Sequence, residues 1–486
     1  MSAELITAYV GIATALGSAI WAVTRLIADR RQQREQEAKL AGEQLQQRQA
    51  EERRARQDRA AVLVQQLGQT TDPRARRWTM AALAMYPEDT LDLLLAALSD
   101  AEPEDAAAIK LAVSSIGPPA VPGVVRAHRI ATQIHRTSQA TRPVDEAADG
   151  RPTADADGAR RVIDSTRALV LSLLFQLDDD QRSQVDLADV DLSRVILKGS
   201  RLPLTRFRKA RLDGAVLIAA SLRGASFRGA SLDGTVLSRC NLRGADLTGA
   251  SGAIRAVHAD LTESRLDYAQ LMRSTLDGAQ LAGASLKRTR LDDASLPGAT
   301  LTAAVLDKTG LRRAKARRIY AAKVRASGAD LSHAVVDGGT MPDSLFEDTR
   351  LVRLSAARLD ATGSTFVNCP AEGALLDEAT LARCSFTGCR LSGASLAKAS
   401  LSGAVFTSCS FFSASLARAN LRDARFLQCE FGNVDLSGVN LDGVVFEGCT
   451  FAEGSQLVVD NDSWRTATLD ATASEAFGRA AEGLAS

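Results

Sequence analysis

The residues with the greatest capacity for chemistry are seven cysteines, five of which recur every twenty residues. The five are Cys369, Cys389, Cys409, Cys429 and Cys449. In a stacked fold these thiols would lie about 4.8 Å apart on one line. Tetrahedral zinc needs its sulfur ligands about 2.3 Å from one metal, so the column does not suit it. The spacing therefore predicts thiols that pack as small hydrophobic groups, and the absence of CxxC favours a reducing compartment.

Patterns for nucleophilic or metal chemistry are weak elsewhere in the sequence. Ser395 and Lys398 form an SxxK by letter, but no companion motif accompanies them. His128 and His135 are seven residues apart, without a third metal ligand in the pattern. No Walker A, HExxH or GxSxG motif occurs. We therefore expect a protein without catalytic activity, metal or cofactor.

A five-residue repeat dominates the chain from Val185 onward. Each unit centres on Leu or Phe, and a small residue stands two positions earlier, as in CNLRG, ADLTG and ASLDG. There are roughly fifty units, and a period of five fits neither a helix nor a flat strand. Phenylalanines recur every twenty residues from Phe346 to Phe446. The pattern predicts a solenoid with four units per coil, roughly 60 to 65 Å long.

These A(D/N)LxG-like units resemble those of the pentapeptide-repeat proteins over most of the chain from Val185. The resemblance implies a right-handed quadrilateral β-helix, in which the centre and the small residue before it point inward. Two stretches depart from the pattern. A one-residue slip near residues 248–260 is expected to form a bulge or loop, and residues 312–325 are interpreted as a basic insertion. The helix before residue 177 and the stretch from about Ser463 are candidate caps.

The N-terminal sequence predicts a different kind of structure. The twenty residues from Leu5 to Thr24 carry no charge, which is long enough to cross a bilayer as a helix. Four arginines follow, so the positive-inside rule predicts a single-pass anchor in the inner membrane, with the bulk of the chain in the cytoplasm. A buried or interfacial helix is the alternative. Further along, DPRARRWTMAALAMY and IGPPAVPGVV resemble HEAT-type helical hairpins.

The predicted fold class is a four-sided right-handed β-solenoid of pentapeptide repeats, preceded by a transmembrane helix, a helical stalk and a small all-α segment. The predicted segments are a transmembrane anchor (1–27), a charged helical stalk (28–60), a HEAT-like helical segment (61–135), a flexible linker (136–158), a capping helix (159–184), the pentapeptide-repeat β-helix (185–455) and a C-terminal cap (456–486). The Ala and Arg richness suggests a bacterial source.

Charge is distributed unevenly along the repeat region, although the net charge of the whole chain is only +1. Residues 194–325 contain 25 Lys or Arg against 10 Asp or Glu, and residues 326–453 contain 9 against 15. A basic rod surface can contact anionic lipid or nucleic acid, and no outward aromatic residues are expected to stack on bases. The candidate basic interaction surface comprises Arg312, Arg313, Lys315, Arg317, Arg318, Lys323 and Arg325.

These observations favour a membrane-anchored cytoplasmic scaffold or protein-interaction module that lacks catalytic activity. One alternative comes from the resemblance, because some pentapeptide-repeat proteins mimic DNA and interact with topoisomerase. Such mimicry needs an acidic surface, whereas the first half of this repeat region is basic. A further alternative is binding of nucleic acid or anionic lipid by the basic half. Protein partners are expected, but the sequence leaves their identity and the oligomeric state open.

Overall fold

The structure is a computed structural model in which the chain divides into two compact units, Met1–Ala120 and Val121–Ser486. Apart from Arg25, the predicted membrane anchor lies outside the described residues. Among the residues that are described, no single helix is long and apolar enough to span a membrane, and only a bent pair of helices passes that test jointly. The described residues are 103–140, 154–452, 457–458 and 465–482, with parts of 25–101.

The described residues of the first unit are mainly helical. Residues 39–52, within the predicted stalk, are helical and exposed. Helix α1 spans Pro87–Ala97 and α2 spans Pro103–Ile116, followed by a 3-10 turn at Pro118–Ala120. Helix α2 begins with proline and has two acidic residues in its first turn, where they complement the helix dipole. The HEAT-like resemblance of this region stays a prediction.

Helices also open and close the second unit. They are α3 (Val121–Ala140), α4 (Ala154–Gln176), α5 (Asp179–Ser183) and α6 (Ala471–Glu482). Helices α3 and α4 pack against each other and extend into both ends of the predicted linker, so residues 136–140 and 154–158 are helical rather than flexible. Their amphipathic pairing explains the longer helices. The rest of that linker, 141–153, lies outside the described residues.

Residues 185–452 form a four-sided β-solenoid. Outside the slip near residues 248–260, parallel bridges join the residue before a unit centre to the residue twenty positions later, as in the pair Thr275 and Ser295. The prediction of four units per coil is therefore confirmed. We label the sides A, B, C and D, whose unit centres in one coil are Phe386, Leu391, Leu396 and Leu401.

Extended strands concentrate on side A, where eight of them form a parallel sheet. Its strands are β1 (Arg325–Ser327), β2 (Leu345–Glu347), β3 (Thr365–Val367), β4 (Ser385–Thr387), β5 (Val405–Thr407), β7 (Arg425–Leu427), β10 (Val445–Glu447) and β13 (Thr468–Leu469). Side B carries β6 (Ser410–Phe412), β8 (Glu430–Gly432) and β11 (Thr450–Phe451), while β9 (Val434–Asp435) pairs with β12 (Leu457–Val458).

Stacked side chains fill the interior of the solenoid. The rings of Phe386 and Phe406 are nearly parallel, with centroids 4.8 Å apart, and the same stacking continues to Phe426 and Phe446. All seven cysteines are buried and unbridged. The sequence prediction of inward aromatic and thiol columns is confirmed.

Residues 312–325 are ordinary repeat units and not the insertion that the sequence suggested. The bridges continue through this stretch with an unbroken register of twenty. The pattern is hidden because the centres are alanines, and in two units the larger residue stands two positions earlier: Ile319 precedes Ala321, and Val324 precedes Ala326. All four are buried. In these two units the volumes of the inward positions are therefore exchanged, whereas Ala316 is preceded by another alanine, Ala314.

Residues 354–373 form a second stretch in which alanines occupy several centres, and it uses the same exchange, with Leu354 before Ala356 and Leu359 before Ala361. Ala371 also lacks this compensation, because its preceding inward residue is Cys369. An apolar cavity of about 30 Å³ borders Ala371 and extends between the surrounding coils.

The one-residue slip near residues 248–260 forms neither the bulge nor the loop that we expected. The bridges across it join residues nineteen positions apart, such as Val236 and Arg255, so one side B unit is a residue shorter. Gly252 allows this shortening with φ +115, because a Cβ at that position would collide with the backbone of Asp233. Ile254 fills the interior beside it.

Both ends of the solenoid are covered within the second unit. At the first coil, Arg129 of α3 donates to the carbonyl of Ala188 at 2.9 Å. In later coils the equivalent carbonyl accepts a hydrogen bond from the backbone of the preceding coil. At the last coil, β13 extends the sheet of side A, and Phe477 of α6 packs edge-on against Phe446 and Phe451. These contacts satisfy open edges that would otherwise pair with other chains.

Candidate functional site

The cysteines of this unit lie inside the solenoid, so its outward side chains are the ones that a partner can reach. Burial raises the pKa of Cys240 to about 11 and that of Cys384 to about 12, so both thiols stay protonated at neutral pH. Within the described residues, no group of three or more His, Cys, Asp or Glu side chains could hold a metal. Ser395 donates its hydroxyl to Asp377 and not to Lys398, the other residue of the SxxK pattern.

The seven residues of the predicted basic surface are all exposed, but they do not form one face. Because one coil contains twenty residues, the stretch encircles the rod. The seven lie on side A (Arg325), side B (Arg312, Arg313), side C (Lys315, Arg317, Arg318) and side D (Lys323). Three are paired with carboxylates of neighbouring coils: Arg312 with Asp330, Arg313 with Asp293 and Arg317 with Asp337.

A more continuous basic surface runs along side A, where several coils contribute cations to one line. We call it the basic stripe. Sequence proximity did not reveal it, because its members are separated by about twenty residues. Aligning each five-residue unit with the unit four places later, which lies on the same side, would have revealed it. The basic stripe consists of Arg206, Arg208, Lys209, Arg228, Arg265, Lys287, Arg288, Lys308 and Arg325, all exposed.

Only part of the charge on the basic stripe is neutralised. Side A holds three carboxylates over the same coils, which pair with Arg228 at 3.5 Å, Arg265 at 3.9 Å and Lys287 at 4.0 Å. The partners are Asp246, Asp267 and Asp307. The other six cations have no ion pair among the described residues. Exposed pairs at such distances contribute little energy, so the basic stripe remains an accessible positive surface.

An exposed aromatic ring interrupts the basic stripe, which corrects the expectation of no outward aromatic residues. Tyr268 follows the centre Leu266 by two positions, has φ +60 and is 55% exposed. The guanidinium of Arg288 lies over its ring, 5.6 Å from the centroid. In the preceding coil the equivalent residue is Gly249, where a Cβ would meet nothing within 4 Å. The ring of Tyr268 therefore borders an open space above Gly249 on the surface of the solenoid.

Further along side A the surface loses its charge. We call the outward residues of β3, β4 and β5 the neutral face. They are Thr365, Val367, Ser385, Thr387, Val405 and Thr407, each half-buried, with buried phenylalanines between them. The strands pair in parallel without a bulge. This region is a regular surface of small and β-branched side chains without an ionised group.

The second unit thus belongs to a class of proteins built as four-sided β-solenoids, with a packed interior and four distinct outer faces. A family model described as a pentapeptide repeat region matches residues 379–456. A second model, of pentapeptide repeats in eight copies, matches residues 186–224, 210–249 and 257–293. The chain is a pentapeptide-repeat protein.

Solved structures of similar proteins include three pentapeptide-repeat proteins. HetL from the cyanobacterium Nostoc, involved in heterocyst differentiation regulation, is 26% identical over 53% of this chain and 91% of its own, with a TM-score of 0.21. QnrB1, a plasmid-mediated fluoroquinolone resistance protein, is 19% identical over 46% and 90%, with a TM-score of 0.20. Rfr23 from the cyanobacterium Cyanothece is 19% identical over 30% and 91%, with a TM-score of 0.13. No curated protein matches significantly.

Proposed function

We propose that this protein is a non-catalytic interaction module that binds a protein partner on the neutral face. The observation that carries the proposal is the uncharged, regular sheet formed by β3, β4 and β5 on side A. Interface centres are depleted of charged residues, since removing an unpaired charge from water is costly. The other sides of these coils carry ionised residues such as Glu372, Asp377 and Arg383.

The rigidity of the neutral face supports the same function. Its outward side chains extend from strands whose buried centres, Phe366, Phe386 and Phe406, stack on one another. Binding to such a surface costs little conformational entropy, because each strand is already hydrogen-bonded to a neighbouring strand on both sides. A partner that presents a flat surface with few charges would fit it.

The proposal is tested by placing charge on the neutral face. In the variant Thr387→Arg with Val405→Arg, crosslinked protein partners recovered from native extracts should be lost or reduced at least tenfold. The matched control, Thr380→Arg with Ser400→Arg, changes bridge positions on side D of the same coils and should retain them. Equal recovery from both variants would refute docking on this face, and circular dichroism establishes that both variants are folded.

Membrane attachment is part of the proposal that rests on sequence alone. The uncharged run from Leu5 to Thr24 and the arginines after it favour an inner-membrane anchor that holds the rod in the cytoplasm. Fractionation of cells expressing the full chain and a chain without residues 1–30 tests it. Carbonate-resistant membrane association of the full chain alone is expected, and extraction of the full chain by carbonate would contradict the anchor.

A further inference from the structure

We infer that the basic stripe, together with Tyr268, binds single-stranded nucleic acid. The inference is independent of the proposed protein partner, since the neutral face lies in different coils. It depends on two features that coincide on side A: a line of cations that are largely free of carboxylate partners, and an exposed aromatic ring within that line.

The length and direction of the basic stripe are complementary to a linear polyanion. It extends over six coil intervals, from Arg206 to Arg325, which is about 29 Å at the spacing of stacked strands. Three of its unpaired cations, Arg206, Arg208 and Lys209, lie on one coil, and Arg288, Lys308 and Arg325 follow on consecutive coils. Phosphates that follow the rod axis would meet a cation on most of these coils.

Tyr268 distinguishes a single strand from other anionic partners. Bases stack on exposed aromatic rings in proteins that bind single strands, and arginine contributes to the same platforms. Arg288 covers one side of the ring, while the preceding residues in the same column, Gly249 and Gly229, carry no side chain. That gap leaves room for a base against the ring. A duplex keeps its bases stacked internally and would not use the tyrosine.

The test measures binding of a fluorescent single strand of about twenty nucleotides to the full chain by anisotropy over a series of salt concentrations. Tyr268→Ala should raise Kd about tenfold, as expected for one lost base stack. Tyr320→Ala is the matched control, because Tyr320 is also exposed, at 47%, but lies on side D. It should leave Kd unchanged.

Charge is tested with two triple variants that each remove three unpaired cations. Arg206→Gln, Arg208→Gln and Lys209→Gln empty one end of the basic stripe. Three control substitutions lie on sides C and D instead. They are Lys315→Gln, Arg318→Gln and Lys323→Gln. At about 0.7 per phosphate contact, the first variant should reduce the magnitude of the salt slope by about 2, and the control should leave it nearly unchanged.

Three outcomes would overturn the inference. One is absence of binding at low salt, and another is an equal loss in both triple variants, which would indicate diffuse attraction to net charge. The third is binding of duplex DNA or phosphatidylserine vesicles as tightly as the single strand, with no effect of Tyr268→Ala. The protein-partner assay on the neutral face is unaffected by any of these, so the two proposals fail separately.

Discussion

Nε2 of His128 lies 3.0 Å from the backbone nitrogen of Asp191, in the first coil of the solenoid. In the next coil the equivalent residue, Arg211, donates its N–H to the carbonyl of Val190 and accepts from Leu192. Asp191 has no preceding coil, and Nε2 of His128 lies close to both its backbone nitrogen and, at 2.8 Å, its carbonyl oxygen, to which Arg167 also donates at 3.2 Å. Side chains of α3 and α4 thus replace the missing strand.

Burial in this contact favours the neutral form of the imidazole. Nδ1 of His128 lies 2.7 Å from Oγ1 of Thr166, whose hydroxyl donates to the carbonyl of Val162. Because Nε2 lies near both the N–H and the carbonyl oxygen of Asp191, these contacts are compatible with either tautomer of the neutral ring. Burial lowers the pKa of His128 from its ordinary value of 6.5 to about 4, against the opposing attraction of Asp191.

The lowered pKa of His128 predicts loss of stability in acid. The unfolded chain binds the proton below about pH 6.5 and the folded chain only below about pH 4. Stability is therefore complete above pH 6.5 and declines as pH falls towards 4, by on the order of 3 kcal/mol. Urea unfolding at several pH values measures it. His128→Gln should flatten this part of the profile, and identical profiles would contradict the assignment.

The exchange of inward volumes predicts coupling between Ile319 and Ala321. Ile319→Ala leaves both inward positions small and should lower the free energy of unfolding by about 2 to 5 kcal/mol. Adding Ala321→Leu restores the usual pattern, a small residue before a large centre, and should recover most of the loss. A double variant no more stable than Ile319→Ala, measured by urea denaturation, would show that the two positions do not share one space.

The shortened unit predicts a specific requirement for glycine at position 252. Gly252→Ala should cost about 3 kcal/mol, because the new methyl group meets the backbone of Asp233 and φ is +115. Gly249→Ala is the control, since its φ is +66 and its Cβ would lie in open space. It should cost only about 1 kcal/mol. Thermal melts that rank the two variants equally would be inconsistent with the packing described here.

The C-terminal cap predicts a large effect from one buried ring. Phe477 is fully buried against Phe446 and Phe451, so Phe477→Ala should destabilise the cap by about 3 to 5 kcal/mol. Hydrogen exchange should then accelerate in α6 and in the last coils before it spreads elsewhere. Phe412→Ala removes a ring that is 41% exposed and should leave exchange nearly unchanged. Uniform acceleration in both variants would argue against a sealing role.

The sequence predicted the solenoid well because inward residues repeat with a strict period. The columns containing Phe386 and Cys389 could be read directly from intervals of twenty. The pattern became unreadable at Ala321, where the large residue moved to the other inward position, and at Gly252, where a unit lost one residue. Both changes preserve the packing of the interior but alter the residue types or the spacing by which the repeat is recognised.

Prediction of the surface was less successful, because the residues of one side come from different coils and are about twenty positions apart in the sequence. Arg312 and Lys323 are close in sequence but lie on different sides, whereas Arg206 and Arg325 share side A. Tyr268 was overlooked as an outward residue although its distance from Leu266 places it outside. The capping contact between His128 and Asp191 could not be predicted, because it joins a helix to a coil 63 residues away.

The central claim is that a protein partner docks on side A and on no other side. The direct test places a photocrosslinking amino acid at one equivalent position on each side of a single coil. These positions are Thr387 on side A, Ser392 on side B, Ala397 on side C and Ser402 on side D. Adducts with one protein partner should form from Thr387 alone. Equal adducts from all four positions, or adducts only from the other three, would contradict the account.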